Sequence, residues 1–260
     1  MRAVVTGAAR GIGRAICHRL ARDAASQGGA RLVLADRHEA ELSALADALR
    51  ALGSDCVVFA GDLSLPDVPA KLAQAAIERF GGLDAVASNA GLMRPAPLLD
   101  CSMADWELAF AVHVRAPWLL AKACHAALRE SRGAFIITTS ISGTHPTPPG
   151  GAYSPSKAAA IMLARQLAVE WGVDGIRVNA LSPGMTLTEG TAPAYSQPGS
   201  LAQREARIPL RRVGQPEDIA AVAAFLMGPD AAYISGVDLP VDGGLGQTVM
   251  ASMNMDGWRR

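Results

Sequence analysis

Tyr153 and Lys157, in the stretch YSPSK, stand four residues apart. On a helix that spacing projects both side chains from one face, one turn above the other, so a phenol and an ammonium can meet. A free phenol has a pKa of about 10 and is a poor base at neutral pH. An adjacent ammonium favours the phenolate and lowers that value, each unit being worth about 1.4 kcal/mol. Ser140 precedes the tyrosine by thirteen positions, at the end of the apolar run AFIITTS. A hydroxyl to orient a carbonyl or alcohol oxygen, a tyrosine to exchange its proton and a lysine to depress the tyrosine pKa support general acid/base catalysis of hydride transfer. Pro155 fits the first helical turn, where the amide has no partner to lose.

These residues need elements to hold them. Short apolar runs alternate with longer helix-period patterns, which argues for βαβ units and a parallel sheet. The runs predict strands at Ala3–Thr6, Arg31–Ala35, Cys56–Ala60, Ala85–Ser88, Ala134–Thr139, Arg177–Leu181 and Val237–Val241. Helical periodicity covers Ala40–Leu52, Val68–Phe80, Met103–Leu128 and Ala158–Trp171. The expected fold is α/β: one Rossmann-type, doubly wound, seven-stranded parallel sheet with helices on both faces. A chain of 260 residues, half of them apolar, can bury such a core as a single domain. Right-handed crossovers bring the carboxyl ends of the strands to one edge, where open α/β sheets bind ligands.

Several motifs fall at those ends. TGAARGIG, Thr6 to Gly13, follows the first strand and opens a helix. Its glycines let the backbone turn and approach a pyrophosphate, which the free amides and positive helix end attract. It offers Gly7, Arg10, Gly11, Ile12 and Gly13 to a dinucleotide. Asp36 ends the second strand, where a carboxylate can accept from the adenosine ribose and repel a 2′-phosphate, favouring NAD over NADP. Arg10 and Arg37 are placed to pair with a 2′-phosphate, so dual use stays open. In GDLS, Asp62 and its neighbour Leu63 can reach the adenine edge; alternatively Asp62 caps the helix ahead of Pro66. SNAG, Ser88 to Gly91, supplies Asn89 to satisfy strand backbones and the small pair Ala90 and Gly91 to admit a ligand.

Composition narrows the classes. Lysine plus arginine and aspartate plus glutamate both number 24, and no basic run offers a footprint for nucleic acid. Cys17, Cys56, Cys101 and Cys124 are scattered, with no CxxC pair and no histidine at metal-ligand spacing, so neither zinc nor a disulfide framework is indicated. They read as buried thiols in a reducing cytosol. The start at RAVVTG leaves no room for a signal peptide, and no apolar run reaches the roughly 20 residues that span a bilayer. A cytoplasmic protein with a small-molecule partner is expected.

Taken together, TGAARGIG, Asp36, Asp62, SNAG, Ser140, YSPSK, RVNALSPG (Arg177 to Gly184) and VDGG (Val241 to Gly244) resemble the classical short-chain dehydrogenase/reductase family from Arg2 to about Gly244. The resemblance implies hydride transfer between a nicotinamide and a secondary alcohol or ketone. It makes Tyr153 the acid/base and Ser140 the residue that holds the substrate oxygen. Lys157 would bind the nicotinamide ribose while lowering the tyrosine pKa, and Pro183, Gly184, Thr186 and Thr188 would form the nicotinamide-side loop. It also implies homotetramers or homodimers built on the helices carrying Met103–Leu128 and Tyr153–Trp171. The chain departs from the pattern at His113, where the family usually carries an asparagine completing a proton relay through water to the lysine. Two readings stand: a packed helix histidine, or a relay through its carbonyl or ring, the ring adding a near-neutral limb to the pH-rate profile. His145 lies in the loop between Ser140 and Tyr153, where it either touches substrate or is a structural loop histidine beside prolines. The Pro-, Gly- and Ser-rich stretch of about 186–216, with Tyr195 in it and Met185 just ahead of it, suits a lid over substrate. A methionine-rich tail of about 247–260 follows, either disordered or packed on a neighbouring subunit, with Trp258 favouring packing. NAD(H)-dependent alcohol oxidation or ketone reduction is expected; an NADPH-dependent ketoreductase, for instance on 3-oxoacyl substrates, and a silent dinucleotide-binding sensor or scaffold are the alternatives.

Overall fold

The computed structural model describes residues 1–248, so the tail from 249 onward, Trp258 included, lies outside the described residues. Seven strands, β1 (Arg2–Thr6), β2 (Arg31–Asp36), β3 (Asp55–Ala60), β4 (Ala85–Ser88), β5 (Ala134–Thr138), β6 (Arg177–Pro183) and β7 (Asp238–Val241), form one parallel sheet in the order β3-β2-β1-β4-β5-β6-β7. The chain reverses direction across the sheet between β1 and β4, which creates the crevice where such sheets bind ligands.

The strands are apolar because both faces are covered. Successive side chains alternate sides: Ala3, Val5, Leu32, Leu34 and Ile136 pack with Ile16, Leu20, Leu45 and Ile219, while Val4, Val33, Val86, Phe135 and Ile137 pack with Leu72, Leu120, Leu128 and Ile161. The first layer is closed by α1 (Gly11–Ala24), α2 (Glu39–Arg50) and α9 (Pro216–Met227), the second by α3 (Val68–Phe80), α5 (Ala116–Ser131) and α6 (Tyr153–Trp171). Each fully buried Leu or Ile contributes about 1.5–3 kcal/mol. Cys17, Cys56 and Cys124 are buried free thiols, Cys101 is partly exposed, and no group of three or more potential metal ligands exists among the described residues. No helix among them is long and apolar enough to cross a membrane.

Most boundaries move by a residue or two, and some details bear on the site. The pattern over Met103–Leu128 is not one α-helix: α4 (Met103–Phe110) passes into α5 through a π-helical turn, Ala111–Arg115, closed by the Ala116 amide on the Ala111 carbonyl. The helix begins at Tyr153, ahead of the periodic stretch Ala158–Trp171, which puts Tyr153 and Pro155 in its first turn. Strand β6 runs two residues further, to Pro183, which carries Pro183 and Gly184 to the sheet edge. The stretch 186–216 contains two short helices, α7 (Ala192–Tyr195) and α8 (Ser200–Glu205).

Candidate active site

A cleft of about 710 Å³ runs along the carboxyl edge of the sheet. Gly7, Arg10, Gly11, Ile12, Asp36, Arg37, Asp62, Leu63, Asn89, Ala90, Gly91, Ser140, Tyr153, Lys157, Pro183, Gly184, Met185, Thr186, Thr188 and Tyr195 all line it. Gly13, His113 and His145 do not.

The glycine turn is shaped for an anion. Gly7 and Gly11 have φ of +65° and +53°, in the region where a side chain strains the backbone. A Cβ on Gly13 would sit on the Gly7 carbonyl oxygen, so Gly13 acts by letting α1 pack against the turn rather than by lining the cleft. The N-cap residue, Arg10, makes no side-chain cap to α1, so the first amides of the helix face other partners. One of them, Gly11 N–H, donates to the Glu189 carboxylate at 2.9 Å, and Glu189 also pairs with Arg14. Burial works against ionising Glu189 but is outweighed by backbone amides and Arg14, which hold its carboxyl below the usual range. A carboxylate therefore already stands in for an anionic ligand at this helix end, and the donors present fit a pyrophosphate. Neither Glu189 nor Arg14 stands out in the sequence, because a lone acid in a Thr- and Gly-rich loop carries no periodic signal.

The far end of the cleft is set by Asp36. Its carboxylate accepts from the amides of Ala9 (3.3 Å), Arg37 (2.7 Å) and His38 (3.3 Å), which fixes it at the end of β2. Arg10 contacts His38 across the same rim. Asp62 accepts from the Ser64 amide at 2.9 Å and caps a turn. It does not cap α3, which starts six residues later at Val68. Across the crevice, the Thr6 hydroxyl accepts from the amides of Asn89 and Ala90, both at 2.9 Å, and Asn89 Nδ2 donates to the Thr6 carbonyl at 3.2 Å. These bonds hold the end of β4 against the end of β1, and a Cβ on Gly7 would come within 3.0 Å of Ala90.

Three elements converge at the reactive end. Ser140 follows β5 and accepts from the Ser142 amide at 3.1 Å, which holds its hydroxyl at the strand end. Lys157, 4% exposed, donates from Nζ to the Thr138 carbonyl at 2.9 Å and lies 5.6 Å from the Tyr153 ring centroid. Burial lowers the Lys157 pKa to about 8. Burial also pushes the Tyr153 phenol up, with the Ser140 hydroxyl pulling it back. The phenol pKa is thus raised, where the Tyr-Lys spacing alone predicts depression: desolvation of the phenolate outweighs the Ser140 hydrogen bond. Loss of solvent disfavours whichever form carries charge, so one cause moves the two groups in opposite directions.

Thr191 Oγ donates to the Thr186 carbonyl at 2.7 Å and accepts from the Thr188 amide at 2.9 Å, which shapes the loop after β6. His113 is 2% exposed and lies behind Gly91. Burial and the Lys157 ammonium hold its pKa down to about 2, which disfavours a charged ring near neutrality. His145 is exposed, with its ring against Gly246 instead of in the cleft.

Comparison with known proteins agrees with this geometry. The family described as "Enoyl-(Acyl carrier protein) reductase" matches residues 7–246. Short-chain dehydrogenase/reductase eriH of Hericium erinaceus is 36% identical over 246 residues, covering 93% of this chain and 96% of that protein. A candidate NAD(P)-dependent gluconate 5-dehydrogenase from Beutenbergia cavernae, solved with bound NADP, is 33% identical, with a TM-score of 0.86 over 94% of this chain and 95% of its own. A 7α-hydroxysteroid dehydrogenase solved with NADH and 7-oxo glycochenodeoxycholic acid is 32% identical, with a TM-score of 0.86 over 93% of this chain and 92% of its own. The chain is an NAD(P)-dependent oxidoreductase acting on CH–OH groups, and it belongs to the short-chain dehydrogenase/reductase family.

Proposed function

We propose that the protein interconverts a secondary alcohol and a ketone with NAD(H), using Tyr153 as the acid/base. The observation that carries this is the convergence of Ser140, Tyr153 and Lys157 at one end of a cleft whose other end is the fixed Asp36 carboxylate. The names of two similar structures, a gluconate 5-dehydrogenase and a steroid dehydrogenase holding a 7-oxo ligand, support chemistry at a secondary carbon.

Bound in this cleft, the nicotinamide supplies or accepts the hydride. The glycine turn and the α1 amides would hold the pyrophosphate, Asp36 the adenosine ribose, and Lys157 the nicotinamide ribose. Thr186, Thr188 and the β6 end would hold the nicotinamide side. Ser140 holds the substrate oxygen, and Tyr153 gives it a proton in the reducing direction and removes one in the oxidising direction. A phenol raised by burial is protonated at neutral pH and suited to donate. Met185 and Tyr195 face the substrate end, and the 186–216 segment closes over it as a lid. Tyr153→Phe should abolish turnover on a substrate found by screening hydroxy and oxo compounds at the nicotinamide absorbance, while NADH still binds. Full activity in that variant would defeat the mechanism.

A second reading, NADPH-dependent ketoreduction, is favoured by Arg10, Arg37 and His38 at the rim beside Asp36. The carboxylate weighs for NAD(H), because it would face the 2′-phosphate at close range. Turnover with both cofactors before and after Asp36→Ala separates the two: the variant should gain NADP(H) and lose NAD(H). We further propose a homotetramer or homodimer formed through α5 and α6.

A further inference from the structure

We propose that His113 and Ser156 act together as a positioning pair, coupling the loop after β4 to the turn of α6 that carries Tyr153. The inference rests on Tyr153 as the proton-exchanging group. The Leu92 amide donates to His113 Nε2 at 3.1 Å, so that nitrogen carries no hydrogen. The neutral ring then holds its hydrogen on Nδ1, 2.8 Å from Ser156 Oγ, and donates it there. The Ser156 hydroxyl in turn donates to the Tyr153 carbonyl at 2.9 Å. Every hydrogen in the chain Leu92 to His113 to Ser156 to Tyr153 therefore has one assignment.

The surroundings enforce that assignment. His113 and Ser156 are 2% and 0% exposed, so water does not compete for either bond. The titratable groups facing the ring are Lys157, which disfavours a second positive charge, and Tyr153, packed edge-on with centroids 5.6 Å apart. A protonated ring would turn an N–H toward the Leu92 amide, setting donor against donor. With both nitrogens bonded to protein, the ring has none left for a relay water. It stands within the π-helical turn Ala111–Arg115, whose wider winding shifts the residues after it by about 100° relative to an uninterrupted helix. Gly91 lies against the ring, since a Cβ there would stand 3.4 Å from His113 Nε2 and 3.6 Å from Lys157 Nζ, ordinary contact distances.

The pair thus links the floor of the cleft beside Gly91 to the first turn of α6. It sets where Tyr153 and Lys157 stand without touching substrate. Two measurements on the full-length protein test it. With ¹⁵N-labelled histidine, His113 should show the neutral Nδ1–H tautomer unchanged through the neutral range; titration there, or an Nε2–H tautomer, overturns the assignment. This readout needs no substrate, so it stands or falls apart from the proposed activity, for which Tyr153→Phe is the control. In kinetics, Ser156→Ala and His113→Phe should each lower kcat on the order of tenfold to a hundredfold, with NADH affinity changing less than about threefold. The double variant should lose no more than the worse single variant, and the pH of the rate limbs should stay put. Wild-type kcat in folded Ser156→Ala, additive losses, or a near-neutral limb that vanishes in His113→Phe would each overturn the proposal. Ser156→Ala deletes one hydroxyl from a helix, so it carries the kinetic test even if His113→Phe does not fold.

Discussion

Lys157 should destabilise the protein it serves, and the size of that cost can be worked out. Its pKa falls from 10.5 to about 8 through burial, against one neutral partner, the Thr138 carbonyl. A drop of that size corresponds to about 3 kcal/mol favouring the unfolded state while the group is charged, at about 1.4 kcal/mol per unit. The sign follows from proton counting. Between pH 8 and 10.5 the unfolded chain binds the proton and the folded chain does not, so stability rises with pH across that window; below it the cost is present in full. Lys157→Met removes the charge but leaves the Thr138 carbonyl without its donor, at about 1–3 kcal/mol, so near neutrality the two effects offset and the net change is small. The pH dependence isolates the charge. Denaturant unfolding of both proteins without cofactor, at several pH values from 7 upward, should show wild type gaining on the variant by up to about 1.4 kcal/mol per pH unit above pH 8. A stability difference that stays flat to pH 10 would refute the reasoning, because the ammonium would then be solvated or paired. The variant should also lose turnover at every pH.

Three other outcomes follow from the geometry. Gly13→Ala places a methyl on the Gly7 carbonyl, so the variant should lose at least about 1–3 kcal/mol and most of its NADH binding, measured by melting and by fluorescence titration. Glu189→Gln removes the anion that competes for the Gly11 amide, so NADH should bind about twofold to fivefold tighter. The lost pair with Arg14 is exposed and contributes little; weaker binding would mean that Glu189 helps hold the cofactor. Trp118, Met162 and Val169 are 46%, 58% and 80% exposed on α5 and α6, so Trp118→Lys with Val169→Asp should reduce the particle mass seen by light scattering. An unchanged mass would place any interface elsewhere.

Much of this arrangement is legible in the sequence, because the features that build it are local. The strands read as unbroken apolar runs since Val4, Val33, Val86 and Phe135 face one covered layer and Val5, Leu34 and Ile136 the other. The glycine turn, Asp36 and Asn89 announce themselves by residue type at strand ends. The π-helical turn does not, because it spans only Ala111–Arg115, too few residues to change a helix-period pattern. Ser156 is equally silent, since a serine inside an apolar helix looks like filler until the ring it faces is known. Glu189 meets Gly11 across 178 residues of chain, a separation that no local pattern encodes.

The protonation states show where spacing stops informing chemistry. Tyr153 and Lys157 four residues apart imply that they meet, but burial decides what the meeting does. The same desolvation raises the phenol, lowers the ammonium and holds His113 neutral, because in each case it penalises the charged form. At neutral pH the site therefore contains a neutral phenol, a neutral imidazole and, below its pKa of about 8, an ammonium carrying the charge. That distribution suits proton donation to a developing alkoxide in the reducing direction. In the oxidising direction the phenol must first lose its proton, and any positive charge brought close to it makes that loss easier. Lys157 can supply such a charge only while it remains protonated. The fall of its pKa toward 8 sets an upper bound on the pH range over which it can assist, a bound that the four-residue spacing gives no hint of.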